Sequence, residues 1–201
     1  MNLNVRSKVI PAVLFGLLGT LLAPAAAASA ATRTTVQVGA IRVNTADLRT
    51  LSSQDLLIAA VGANGLPAGF SMPAGTSVPA RTAVNFALAQ RGKPYVFGAI
   101  GPSSYDCSGL MLTAWLLAGR NVTRTTLTQR FAGTATTAAS LRPGDLVVTP
   151  GGLGTLARPD HDGMYIGHGL VVHAPHTGDV VRVLTYTAFV ARGVAALRHV
   201  A

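Results

Sequence analysis

The chain has 201 residues, enough for one domain with a sizeable buried core and a small appendage but too few for two full domains. Its charge is one-sided, 16 basic against 7 acidic side chains, with no glutamate and only two lysines, so the positive charge sits almost wholly on arginine. No basic cluster is interleaved with aromatics, which excludes nucleic acid as the partner of that charge, and a single cysteine, Cys107, excludes an internal disulfide.

Met1 to Ala30 open with Arg6 and Lys8, continue through an apolar run from Val9 to Leu22 and end in Ala28-Ser29-Ala30. That is the layout of a cleavable secretory signal. Pro11, Gly16, Gly19 and Pro24 interrupt the run, which predicts no stable membrane span once the signal is removed. Removal takes away two positive charges and no acid, so the formal charge of +9 falls to +7. Residues 31–79 read as an auxiliary or linker region, with a short strand expected over Thr35 to Val43, a helix over Thr45 to Val61, and a Gly/Pro/Ala/Ser-rich linker or wrapping segment from Gly62 to Pro79. The domain proper is expected over residues 80–201.

Within it, Thr82 is placed to cap a helix running to Arg91, stopped by Gly92 and Pro94. A glycine-bearing loop, Gly98 to Ser104, leads to a second helix that starts at Asp106 or Cys107 and ends at Gly119, and a third is expected from Thr125 to Phe131. The pattern then changes to strands over Leu146 to Val148, Gly163 to Ile166, Leu170 to Ala174 and Val180 to Leu184. Helices followed by strands predict an α+β fold with N-terminal helices packed on one antiparallel β-sheet.

A cysteine in the first turn of a helix meets unpaired backbone donors and the positive end of the helix dipole, both of which favour a thiolate. A base is available from the stretch His161 to Ala174, which reads as a hairpin around Gly167-His168-Gly169. A three-residue loop pairs Ile166 with Leu170 and Gly163 with His173, leaving His161 and His173 on one face roughly 7 Å apart; a two-residue loop puts them on opposite faces. The first register supplies one imidazole to take a proton from sulfur and a second polar group to orient it. Gly163 leaves room beside them. His168, at the loop tip, and His176, on a turn, read as solvated residues. With one cysteine and histidines placed for base work, no metal site and no cofactor are expected.

The segments Gly92-Lys93-Pro94-Tyr95-Val96-Phe97-Gly98, Gly101-Pro102, Tyr105-Asp106-Cys107-Ser108-Gly109-Leu110, Arg124-Thr125-Thr126, Leu141-Arg142-Pro143-Gly144-Asp145-Leu146-Val147 and His161-Asp162-Gly163-Met164-Tyr165-Ile166-Gly167 occur in that order. Together they resemble the NlpC-type (NlpC/p60) cell-wall cysteine peptidases, a papain-like group, over about Ala80 to Val200. The resemblance implies an endopeptidase acting on peptidoglycan stem peptides, typically after D-glutamate, secreted to the cell wall, where anionic wall polymers are further partners for a basic chain. It assigns Cys107 as nucleophile, His161 as base and His173 as the third polar residue. Tyr95 matches a residue near the oxyanion, or only packs its ring in a strand; Asp106 and Ser108 match positions at the substrate's charged end, or Asp106 is only the helix N-cap. Two departures stand out. Ala99 replaces a common glycine, and Asp162 follows the base where an apolar residue is usual, which predicts an exposed strand edge or a raised His161 pKa. A catalytically inactive wall-binding protein on the same scaffold, and an amidase or transferase acting on wall peptides, are the competing readings.

Overall fold

The computed structural model describes Thr35–Val38, Ile41–Asn44, 65–67 and 69–201. The chain divides into two compact units, Met1–Ala60 and Val61–Ala201. In the first, β1 (Thr35–Val38) and β2 (Ile41–Asn44) pair antiparallel, so the single strand expected over Thr35 to Val43 is two strands of a hairpin. The expected signal and the expected helix from Thr45 to Val61 lie outside the described residues, as does Gly62 to Asn64. Among the described residues no helix is long and apolar enough to cross a membrane.

The second unit places three helices, α1 (Val78–Ala89), α2 (Cys107–Leu117) and α3 (Thr126–Gln129), before its six strands. Strands β3 (Thr134–Ala135), β4 (Leu146–Thr149), β5 (His161–Gly167), β6 (Leu170–His173), β7 (Arg182–Thr185) and β8 (Ala196–His199) form one antiparallel sheet in the order β3-β8-β4-β5-β6-β7. A short helix, α4 (Tyr186–Phe189), follows β7. The α+β expectation, helices on one antiparallel sheet, holds.

Helix α1 begins four residues before the expected cap. Ser77 accepts a hydrogen bond from the Ala80 N–H and Pro79 lies in the first turn, where its missing N–H costs nothing. Thr82 sits inside the helix and its hydroxyl donates to the Val78 carbonyl. The inward face of α1 is made of small residues, Ala80, Ala83, Val84 and Ala87, which lets α2 approach closely. Helix α2 is apolar almost all round. Leu110, Met111, Ala114 and Trp115 are buried, while Leu116 and Leu117 are exposed. Residues 65–67 and 69–77, expected as linker or wrapping segment, carry no regular element but pack Leu66, Phe70 and Met72 against the core.

Strand alternation divides the apolar side chains between the two faces of the sheet. Met164 and Ile166 of β5 join Leu146, Val172 and Val183 beneath α1 and α2, in the core that holds Trp115 and Tyr105. The other face carries a smaller cluster of Val147, Val171 and Phe189. Strand β8 escaped the sequence reading because its four residues, Ala196 to His199, are all partly buried and show no period-2 contrast. Trp115 was not singled out either, yet it is the largest fully buried side chain and lies against the turn at Gly144, where a Cβ would come within 2.9 Å of its ring. Trp115→Ala is expected to destabilise the domain by about 3–5 kcal/mol, read as a lower denaturation midpoint with unchanged denaturant slope.

Candidate active site

Cys107 is the first residue of α2, and the residue before it shapes its surroundings. The Asp106 carboxylate caps the helix by accepting from the Gly109 N–H at 2.6 Å, accepts from the Gly98 N–H at 2.8 Å, and is gripped by both terminal nitrogens of Arg124 at 2.6 and 3.1 Å. The Ser108 hydroxyl accepts from the same guanidinium at 3.0 Å. Asp106 and Ser108, expected at the substrate's charged end, are thus both buried in a network behind Cys107, and neither lines the cleft described below. Asp106 is the N-cap of α2.

The Cys107 thiol lies 3.8 Å from the Thr126 hydroxyl and donates toward the Asp160 carbonyl at 3.7 Å. Burial pushes it up to about 12, the nearby Asp162 charge pushes in the same direction, and the Thr126 hydroxyl and Ser108 N–H oppose them. The resting group is a thiol.

The hairpin solves the facing problem in a way neither sequence alternative contained. Its loop has two residues, His168 and Gly169, both at positive φ (+53° and +69°), as the tight primed turns require. Two residues alone would turn the histidines apart. A bulge between Tyr165 and Gly167 adds one residue to β5, so that Gly167 pairs with Leu170 while Met164 still pairs with Val172. Below the bulge the strands run in the register expected for a three-residue loop. His161 and His173 therefore share a face, and His161 Nε2 lies 2.9 Å from His173 Nδ1. His168 is exposed and its ring meets the Ser71 carbonyl, while His176 is a mostly exposed turn residue at the cleft.

One ring of that pair donates and the other accepts. If His161 donates through Nε2, its Nδ1 is left as a free acceptor; Nδ1 has no hydrogen-bond partner among the described residues. His173 then carries its proton on the buried Nε2, which also has no partner. Phe189 closes over both rings at 5.4 and 5.2 Å, and Gly163 makes room for it, since a Cβ there would lie 3.0 Å from the Phe189 ring and 2.7 Å from Val171. Burial lowers His161 to about 4, against a small upward pull from Asp160, and lowers His173 as well.

Asp162 corrects an expectation. It is fully buried, so β5 has no exposed edge there. Alternation sends its side chain to the face opposite His161, and it raises Cys107 rather than the imidazole. Burial lifts its own carboxyl to about 7. Tyr95 reaches the site from the loop before α2. Burial, Cys107 and Asp106 raise its phenol to about 12, which keeps it a proton donor. A cleft of about 870 Å³ is lined by Tyr95, Cys107, His161, His173, Phe189 and arginines 158, 182 and 192. Sequence reasoning missed Phe189, which sits in no recognisable pattern, and the direct contact of Thr126, although Arg124-Thr125-Thr126 had been noted. Among the described residues no cluster of metal-ligating side chains occurs.

Because both imidazoles are held neutral in the fold, their contribution to stability is present above the ordinary imidazole range near 6.5 and is lost as the pH falls toward about 4. His173→Gln, whose amide oxygen can still accept from His161, is expected to lose less melting temperature between pH 6.5 and 4.5 than the parent, measured by calorimetry.

A family model described as the NlpC/P60 family matches residues 92–196. A probable endopeptidase of Corynebacterium glutamicum is 34% identical over 124 residues, covering 62% of this chain and 56% of that protein. A gamma-D-glutamyl-L-lysine dipeptidyl-peptidase of Bacillus subtilis is 33% identical over 98 residues, covering 48% of this chain and 32% of that protein. The chain thus spans well under two thirds of either relative. Among solved structures, NlpC1 from Trichomonas vaginalis superposes with a TM-score of 0.58 at 27% identity, over 65% of this chain and 48% of that one. RipD from Mycobacterium tuberculosis, described as a non-catalytic NlpC/p60 domain protein adapted to peptidoglycan binding, superposes with a TM-score of 0.51 at 26% identity, over 62% of this chain and 99% of that one. With a matched model covering more than half of its length and its helices and antiparallel sheet arranged as in these solved structures, the chain belongs to the NlpC/P60 family.

Proposed function

We propose that this protein is an exported cysteine peptidase that hydrolyses peptidoglycan stem peptides, cutting after D-glutamate. The observation that carries the reading is one cleft lined at once by a helix-start cysteine, a phenol and a hydrogen-bonded imidazole pair. Family membership and the dipeptidyl-peptidase relative support the substrate class, and the basic balance of the chain suits an anionic wall. In this mechanism His161 Nδ1 takes the Cys107 proton while Nε2–H donates to His173, which holds the ring in the required tautomer and spreads the positive charge. The thiolate attacks the peptide carbonyl. The Cys107 N–H and the Tyr95 hydroxyl donate to the oxyanion, and His161 returns its proton to the leaving amine. Water, deprotonated by the same imidazole, then hydrolyses the thioester. Asp106 and Ser108 act behind the nucleophile, fixing its helix start and the Tyr95 loop. No step calls for a cofactor.

The resting protein holds a neutral thiol and a neutral imidazole, so proton transfer accompanies substrate entry. His161 stays in its basic form down to about 4, and the acid limb of kcat/KM is expected well below pH 6. Digestion of purified muropeptides, followed by chromatography and mass spectrometry, tests the assignment. Cys107→Ala is expected to abolish cleavage, and cleavage by both forms would refute the nucleophile. Tyr95→Phe should lower kcat by roughly 10²-fold with KM little changed. A binding-only reading on the same scaffold takes its support from RipD and from the buried Asp162 beside the sulfur. It predicts retention of muropeptides without new fragments at any pH between about 4 and 8.

A further inference from the structure

Strand β5 directs Met164 and Ile166 into the helix-facing core, and the same alternation sends Asp162 there. Its side chain is completely buried, and neither carboxylate oxygen has a close hydrogen-bond partner among the described residues; the donors near enough to act on it are the Thr126 hydroxyl and the Cys107 thiol itself. A fully buried carboxylate served only by two distant, uncharged donors is costly, whereas a carboxylic acid in the same place is far less so. Strand β4 offers no help, because Val148 stands opposite. The polar groups acting on Asp162 are Cys107 and Asp106 at the start of α2, and Arg124 and Thr126 at the entry to α3. Arg124 has both terminal nitrogens on Asp106 and so is already committed as that residue's counter-ion. Among the described residues no cation other than Arg124 acts on Asp162.

We propose that Asp162 is a positioning residue that shares one negative charge with Cys107: thiol and carboxyl occupy one water-poor space, only one of them ionises at a time, and the nucleophile forms only while Asp162 keeps its proton. The inference rests on Cys107 being the nucleophile. In the productive state the sulfur proton moves to His161 and the Asp162 O–H remains in place beside the sulfur anion. Above the carboxyl's titration Asp162 carries the negative charge, and a thiolate would be a second one in the same space. The carboxyl titrates near 7 through burial, and its charge is the largest influence on the thiol after burial itself. Cleavage is then confined to neutral and acidic conditions.

The chain's single cysteine makes alkylation a direct readout. The rate of iodoacetamide labelling of Cys107 is measured from about pH 5 to pH 9 in the purified protein and in Asp162→Asn. At pH 8.5 the variant is expected to react roughly tenfold faster, the equivalent of one pKa unit. At pH 5.5, where the parent carboxyl is protonated, the two rates should agree within about twofold. Superimposed rates at every pH would overturn the proposal, as would carboxyl carbon NMR showing Asp162 titrating near the ordinary aspartate value. Should Asp162→Asn fail to fold, Asp162→Val removes the same charge and meets the same criteria. Muropeptide cleavage is followed in parallel. The predicted labelling without cleavage sinks the peptidase reading and keeps this one; cleavage with unchanged labelling does the reverse.

Discussion

The carboxylate of Asp106 ties three stretches of chain to one another through its two oxygens. It caps α2 through the Gly109 N–H, pins the loop that carries Tyr95 through the Gly98 N–H, and holds the approach to α3 through Arg124. A carboxyl group that is almost fully buried is tolerated because so many donors meet it. The spacing Asp-Cys-Ser-Gly acquires a physical meaning from this. Aspartate caps, cysteine takes the first helical position, serine closes the polar network, and glycine lets the Tyr95 loop lie against the helix. A Cβ at position 109 would come within 2.2 Å of the Ala99 carbonyl oxygen. The loop and the helix start are one unit, so the phenol and the sulfur keep their relative placement.

The second half of the site depends on parity. Side chains on a strand alternate, and whether His161 and His173 meet is decided by a single residue at the far end of the hairpin. The turn favours two residues because a primed conformation matches strand twist, but the site needs an odd count. The bulge between Tyr165 and Gly167 reconciles them. Its distortion is accommodated where the chain is well held: the Tyr165 N–H donates to the Asp145 carbonyl, its own carbonyl accepts from the Gly144 N–H, and its hydroxyl accepts from the Gly169 N–H.

These details mark what could be seen in the sequence. The α2 boundary was legible because a cap, a glycine-terminated apolar run and the cysteine coincide in one place, and β4, β5 and β6 were legible as short apolar runs between turns. The meeting of the histidines was legible only as two alternatives, since loop length and bulge trade off without leaving a mark in composition. The start of α1 was misplaced because both Ser77 and Thr82 are capable caps, and tertiary packing of Ala80 and Ala83 chose between them. Strand β8 and helix α4 were illegible. The residues of β8 are partly buried throughout, and α4 is a single four-residue turn too short to show a helical period, although its Phe189 packs on both imidazoles.

One physical condition unites the reactive groups. Burial disfavours the charged form of each: the thiol is raised, the imidazoles are lowered, and the Asp162 carboxyl is raised. A site in this state favours the thiol over the thiolate at rest. An ion pair made here during reaction would be weakly screened, so the positive imidazole and the negative sulfur would attract strongly once both exist. The same weak screening makes a third charge matter. A carboxylate beside the sulfur opposes the pair from within, while a neutral carboxylic acid leaves it undisturbed. Under the proposed mechanism the residue following the base is no passive member of the sheet: in a water-poor site its proton decides whether the attraction between Cys107 and His161 can develop.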